Sequence, residues 1–262
     1  MTLSFLQYFL GVISGGIVGF SLGMFGGGGS ILAVPLMVYV VGVPNAHMAI
    51  GTSAFAVAAN AFTNMISHWR LGNVKWRCAG VYSAAGIVGA FLGSSLGKIV
   101  DGKQLLVLFA LLMLVVGTLM FRSRGREGDA AAQCTRENAP KVAGYGGLTG
   151  AFSGFFGIGG GFLIVPGLMA STGMPIINAI GSSLVAITAF GLTTAFNYTL
   201  SGLVDWPLAI LFVAGGAVGG IAGSLVARRL AGKNGTLGAL FAALIVVVAI
   251  YMLYRSVPDF LA

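Results

Sequence analysis

The chain is short of charge. Of its 262 residues only 6 are acidic and 14 basic, 8% together, where a soluble domain carries about a quarter. A water-facing fold has no skin to wear here. The six carboxylates, Asp101, Glu127, Asp129, Glu137, Asp205 and Asp259, all fall in loops or at segment ends. Proton- and cation-coupled pumps usually hold such groups mid-membrane, so a cation path built on carboxylates is disfavoured. Cysteine and histidine are equally sparse, with Cys78, Cys134, His47 and His68 the whole supply. They show no metal-ligand spacing and no CxxC, so neither a metal nor another cofactor is expected. An intramembrane enzyme would need a nucleophile with a base, or a metal cluster, and little here provides either. The strict alternation of a membrane β-barrel is also missing. A basic balance of +8 does not imply nucleic acid, because the basic residues sit in short loops beside apolar runs. The start MTLSFLQYFL lacks a basic n-region and a small-residue cleavage site, so it is read as a retained first span.

Apolar residues are abundant instead, at 57% with a mean hydropathy of +0.98. They form runs of roughly 17 to 25 residues, the length that carries a helix across a bilayer. The expected class is an all-α polytopic membrane protein whose main partner is the lipid bilayer.

The chain also repeats itself. GMFGGGGSILAVP at residues 23–35 returns as GFFGIGGGFLIVP at 154–166, and Gly23, Phe25, Gly26, Gly28, Gly29, Leu32, Val34, Pro35, Gly42 and Pro44 recur 131 positions later. From Gly51 the offset becomes 130, pairing Ser53, Thr63, Gly72, Val74, Trp76, Gly89, Gly93, Ser94 and Lys103 with residues 183 to 233. A duplication follows. Its parts are an N-terminal repeat, 1–121, a linker, 122–141, and a C-terminal repeat, 142–262, together one transmembrane domain. The linker holds 8 of the 20 charged side chains and must lie in water.

Lysine and arginine favour the cytoplasmic side of a membrane, which chooses between two topologies. If each glycine stretch reverses the chain, spans fall near 3–24, 29–44, 47–68, 76–97 and 104–121, then 142–156, 160–174, 177–199, 206–228 and 236–254. One face then collects eleven basic residues and the other three, namely Lys98, Lys103 and Arg255. If the glycines merely interrupt a crossing, the split falls to nine against five. The first arrangement is preferred: two inverted repeats of about five segments each in the cytoplasmic membrane, linker cytoplasmic, both termini outside. The second segment of each half is short, so a half-membrane hairpin stays open there.

Broken backbone at membrane depth is tolerated where it is buried in protein or lines a wet cavity. Discontinuous helices near the midplane of inverted-repeat transporters aim free N–H groups at anionic substrates. Gly26, Gly27, Gly28, Gly29 and Ser30 in the first half, with Gly157, Gly159, Gly160 and Gly161 in the second, would form such a neutral cradle. Close helix packing is the competing role for these glycines. Small polar groups cluster in the segment after each break, and Ser53, Asn60 and Asn64 share one helical face, with Ser183, Thr194 and Asn197 in the other half. Hydroxyls and amides can donate to a sulfur oxyanion without a fixed charge that would trap it; helix-to-helix bonding is the alternative. His47 and His68 are candidates for a proton or anion relay, with a solvated interfacial imidazole as the plainer expectation. Gly89, Gly93 and Gly97, and Gly215, Gly219 and Gly223, stand four apart and suit close packing, within the chain or in a homodimer.

The paired glycine-proline motifs, each followed by a G-x-P turn and a Gly-Thr/Ser-Ser segment, resemble the TauE/SafE sulfite-exporter family over nearly the whole chain. The resemblance implies transport of sulfite, thiosulfate, sulfonates or related organic anions, usually outward. It places the site at Gly26 to Gly29 with Pro35 and at Gly157 to Gly161 with Pro166. Gly27 and Ser30 stand opposite Ile158 and Gly161, so the two half-sites differ. A transporter of another organic anion, or an assembly subunit without transport, are the alternative functions.

Overall fold

The computed structural model describes residues 4–122, 129, 132, 134–157, 161–230 and 236–261. Among them there is no strand. The chain runs α1 (Phe5–Phe25), a return segment, then α3 (Ala46–Arg70), α4 (Trp76–Gly97) and α5 (Gly102–Arg122). The return segment winds tightly over Gly26–Leu32, passes through a short α2 (Ala33–Pro35) and loosens over Leu36–Val40. The second half follows as α6 (Ala139–Phe156), α7 (Gly161–Thr172), α8 (Ile176–Thr199), α9 (Trp206–Leu230) and α10 (Thr236–Leu261). Six of these helices, α1, α3, α4, α5, α8 and α9, contain stretches long and apolar enough to span a bilayer. Large side chains such as Phe5, Ile99, Ile210, Val218 and Ile221 remain exposed on the outside, where lipid rather than water suits them.

The sequence repeat is echoed in the backbone. Among the described residues six glycines take positive φ, at Gly26, Gly42, Gly72, Gly157, Gly173 and Gly202, between 62° and 76°. They are three pairs at the offsets of the sequence repeat. Hydroxyl caps are paired as well: Ser182 Oγ accepts from Lys75 N–H and Thr52 Oγ1 from Asp205 N–H, both at 2.9 Å. Each bond ties the start of α4 or α9 to a helix of the other half.

Two glycine seams hold the halves together. Along α1 and α9, a Cβ on Gly15, Gly19 or Gly23 would strike the backbone of Phe212, Gly216 or Gly220. Along α6 and α4, the same holds for Gly146, Gly150 and Gly154 against Tyr82, Gly86 and Ala90. Register rises together in each pair, so α1 runs parallel to α9 and α6 parallel to α4. Their counterparts α3 and α8 cross in opposite directions, with Gly51 against Tyr198 and Leu203 and Gly191 against Ala54 and Ala58. Between lipid-solvated helices, attraction comes from such close van der Waals contact. Gly89, Gly93, Gly97, Gly215, Gly219 and Gly223 also lie in these seams. Their faces are used inside the chain and are not free for a homodimer.

Cys78 and Cys134, unconnected by any sequence motif, are both buried free thiols, and they hydrogen-bond each other. Burial, first, and the Cys78 thiol, second, push Cys134 up to about 12. Cys134 is therefore expected to resist maleimide from pH 7 to 9 in the folded protein, with Cys78 shielded by its burial, and both react once the protein is denatured. Rapid labelling of native protein would contradict this packing. The seams give a second expectation: Gly19→Val prevents folding or lowers the thermal midpoint by many degrees, by steric collision. Gly80→Ala and Gly144→Ala, which meet nothing within 4 Å, leave the midpoint unchanged or raised.

Candidate functional site

The two glycine breaks meet at the centre of the fold. Gly26 lies against Ile180, near the start of α8, and Gly157 lies against Ile50, near the start of α3. Because α3 and α8 are antiparallel, these contacts stand at opposite ends of the pair. The chain closes that gap: Gly27 and Gly161 touch backbone to backbone, and Ile187 covers Gly27. A Cβ at either glycine would run into the opposite strand of chain. Gly26 and Gly157 need glycine on a second count, since φ of 62° and 66° is costly for any residue with a side chain.

The hydrogen bonds show what the cradle is doing. Gly27 N–H donates to Ser183 Oγ at 3.3 Å, and the Ser30 hydroxyl donates to Gly27 O at 2.9 Å. Gly29 folds back onto Ser21 and Leu22 of α1. Thus the first break, where an open row of donors is expected, is a tight turn with its Gly27 donor already engaged. Gly28 belongs to that turn. Gly159 and Gly160 lie outside the described residues. In this conformation the backbone contact leaves no gap between Gly27 and Gly161 for an ion.

Polar side chains around the breaks divide into satisfied and unsatisfied sets. Ser53 and Ser183, both wholly buried, return their hydroxyls to Ile50 O at 3.0 Å and Ile180 O at 2.8 Å. Asn64 donates to Asn60 O at 2.9 Å and abuts Gly220. Asn60 is different. Its side chain is 0% exposed, packs on Gly216, and neither amide atom has a hydrogen-bond partner. Thr194 Oγ1, at the repeat position of Asn64, is likewise buried and unpartnered. An unpaired buried polar group costs about 1–3 kcal/mol, which a passing polar ligand or water would relieve.

The repeat makes Asn60 more telling still. Its counterpart is Phe190, which lies against Gly86 and stacks with Tyr82 at 6.4 Å. Asn60 lies against Gly216, the counterpart of Gly86. One half thus fills the position with an aromatic ring and the other with an amide.

Other candidates lie elsewhere. Asn197 sits at the far end of α8, donating to Ser94 Oγ at 2.7 Å and Ser95 Oγ at 3.0 Å and accepting from Lys98 Nζ at 2.9 Å. His68 is buried at 4% exposure beside Asn73, so the solvated imidazole expected there is corrected: the turn after α3 folds over the ring. His47 is half-buried at the start of α3, its Nδ1 unpartnered. Among the described residues no cluster of His, Cys, Asp or Glu could hold a metal ion. The contact of Lys98 with Asn197 and Tyr198 was not legible; a lysine at a helix end reads as a topology signal, and a tyrosine among apolar residues reads as core.

Removing Asn60's unpaired amide tests its role directly. Asn60→Leu is expected to raise the thermal midpoint of the purified protein, because it deletes unsatisfied polar atoms while keeping the same branched outline. A drop of several degrees would mean that the amide is paired and structural.

Comparison with known proteins finds a family match. The family described as Sulfite exporter TauE/SafE matches residues 11–252. A probable membrane transporter protein of Xylella fastidiosa (strain 9a5c) is 53% identical over 244 residues, 93% of this chain and 94% of that one. A probable membrane transporter protein of Haemophilus influenzae is 31% identical over 199 residues, 73% of each chain. The similarity reaches Bacillus subtilis YdhB, also named a probable membrane transporter protein, at 26% over 215 residues, 79% of this chain and 85% of the other. No solved structure matches. By the extent of the family match, this multi-pass membrane protein belongs to the sulfite exporter TauE/SafE family.

Proposed function

We propose that the protein is a secondary transporter or facilitator that exports small sulfur-containing anions, such as sulfite, thiosulfate and sulfonates, across the cytoplasmic membrane. The anion passes between the two glycine breaks. The observation that carries the reading is the backbone contact of Gly27 with Gly161, together with the unpartnered Asn60 amide packed on Gly216. Membership of a family described as sulfite exporters supports the choice of substrate class.

Inverted repeats give the motion. Supporting them are the antiparallel course of α3 and α8, the parallel course of α1 with α9 and of α6 with α4, and the paired positive-φ glycines. One repeat rocks against the other, parting Gly27 from Gly161 and opening the route first to one face and then to the other. Parting exposes the N–H groups of both breaks, and Gly27 exchanges Ser183 for the cargo. Backbone donors at helix starts favour an anion without a fixed countercharge. No coupling ion is needed for outward flow: an inside-negative potential drives each negative charge out by about 2.3 kcal/mol per 100 mV.

Proteoliposomes loaded in turn with labelled sulfite, thiosulfate and ethanesulfonate provide the test, with a potassium diffusion potential imposed. Saturable efflux that rises with outside-positive potential is expected for at least one of the three. Asn60→Leu, folded and thermally robust, should cut that efflux by about tenfold or more, in line with the loss of a hydrogen bond to a charged group. Absence of flux for every oxyanion in folded wild-type protein would defeat the reading.

A further inference from the structure

The turn from α3 into α4 reads HWRLGNVKWR, residues 68–77, and carries the pair Trp-Arg twice, seven positions apart. Gly72, at φ 74°, closes it, with Gly72 N–H donating back to Trp69 O at 2.9 Å and Asn73 N–H to His68 O at 3.0 Å. The fold sets the two tryptophans edge to face, ring centres 5.8 Å apart and planes at 87°. Neither ring is buried. Trp69 is 56% exposed and Trp76 46%, and Leu71, in the turn between them, is exposed as well.

Arg70 and Arg77 are exposed too. Among the described residues no hydrogen bond or ion pair engages either guanidinium or either indole N–H. The turn thus presents positive charge and idle donors beside apolar rings that water solvates poorly. A partner that satisfies both needs an anionic head and an apolar body.

The second repeat shows that this surface is no by-product of the shared backbone. Its matching turn, closed by Gly202 at φ 68°, has Thr199, Leu200, Asp205 and Pro207 where the first has Trp69, Arg70, Lys75 and Arg77. Trp206, the counterpart of Trp76, leans instead on Phe55 of α3 at 5.1 Å. One turn therefore has paired indoles and arginines, and its twin has neither. Position agrees with charge: both tryptophans stand at helix ends, the depth at which indoles meet headgroups, and the count of basic residues assigns this end to the cytoplasm, where the leaflet is anionic.

We propose that the turn between α3 and α4 is a binding site for one anionic phospholipid. Arg70 and Arg77 hold the phosphate, the indole N–H groups donate to its oxygens or to the ester oxygens below, and the rings with Leu71 bear on the upper part of an acyl chain. The lipid acts on the interior through the same turn. Asn178 Nδ2 donates to Asn73 O at 3.3 Å and Gly181 packs on Asn73, so the headgroup grips the piece of chain that closes over the start of α8. The assignment does not depend on what the protein carries.

Dioleoyl phosphatidylglycerol and dioleoyl phosphatidylcholine are the probes, titrated into protein purified in a neutral maltoside detergent, with bound lipids counted by native mass spectrometry. Wild type is expected to take its first phosphatidylglycerol about tenfold more tightly than its first phosphatidylcholine, two adjacent basic residues being enough for that. Arg70→Gln and Arg77→Gln should each weaken phosphatidylglycerol about fivefold and leave phosphatidylcholine unchanged. Arg136→Gln, which removes an exposed charge elsewhere in the chain, should alter neither. Trp76→Leu deletes the ring contact and a donor without touching charge, and should weaken phosphatidylglycerol as well. Glycerol phosphate, a head without chains, should not displace the lipid at equal concentration. Equal affinity for the two lipids in wild type, an unaltered titration in Trp76→Leu or in the double arginine variant, or the same loss in Arg136→Gln overturns the site. Displacement by glycerol phosphate overturns the lipid assignment in favour of a free phosphate. Should a glutamine variant fail to fold, the wild-type comparison and Trp76→Leu still decide. All of this is read without flux, so its failure leaves the transport reading standing, and absent flux leaves the lipid site standing.

Discussion

Everything in this fold depends on backbones approaching where side chains would ordinarily hold them apart. Lipid offers helices no hydrophobic reason to associate, so their attraction must come from contact itself. Glycine rows on α1, α4, α6 and α9 let whole turns nest, and a Cβ at most of these positions would overlap the opposing main chain. The same absence of side chains lets two interrupted segments meet at Gly27 and Gly161. Nested helices and meeting interrupted segments are thus built from one residue type, which is why composition alone could not tell one use from the other.

Much of the architecture was legible because it obeys simple lengths. The ten expected segments match the helices to within a few residues, except where ends are ragged: α6 begins at Ala139 and α10 runs to Leu261. The seam glycines were legible too, from their spacing of four. What spacing cannot supply is the partner, so whether Gly89 or Gly219 faces this chain or a second copy needed three dimensions.

The site was only partly readable. Glycines at 26 to 29 signalled a break, but their tight winding and the Gly27–Ser183 bond depend on α8 arriving from 156 residues away. Asn60 was singled out as polar in an apolar span, whereas its lack of any partner is a property of its neighbours. Asn197 was grouped with the breaks by analogy between the halves, yet Lys98 and the two serines of α4 hold it at the helix end. Cys78 and Cys134 carried no signal at all, since contact between a helix and a distant loop leaves no mark on spacing.

The Asn60 and Phe190 pair has a consequence for ancestry. Two copies of a single five-helix chain, assembled as a symmetric dimer, must present the same residue at that position twice. An amide on one side and a ring on the other is open only to a chain in which both copies are encoded separately. The linker therefore does more than tether: by joining both copies in one chain it released them from identity, and one position could take an amide while its counterpart kept a ring stacked on Tyr82.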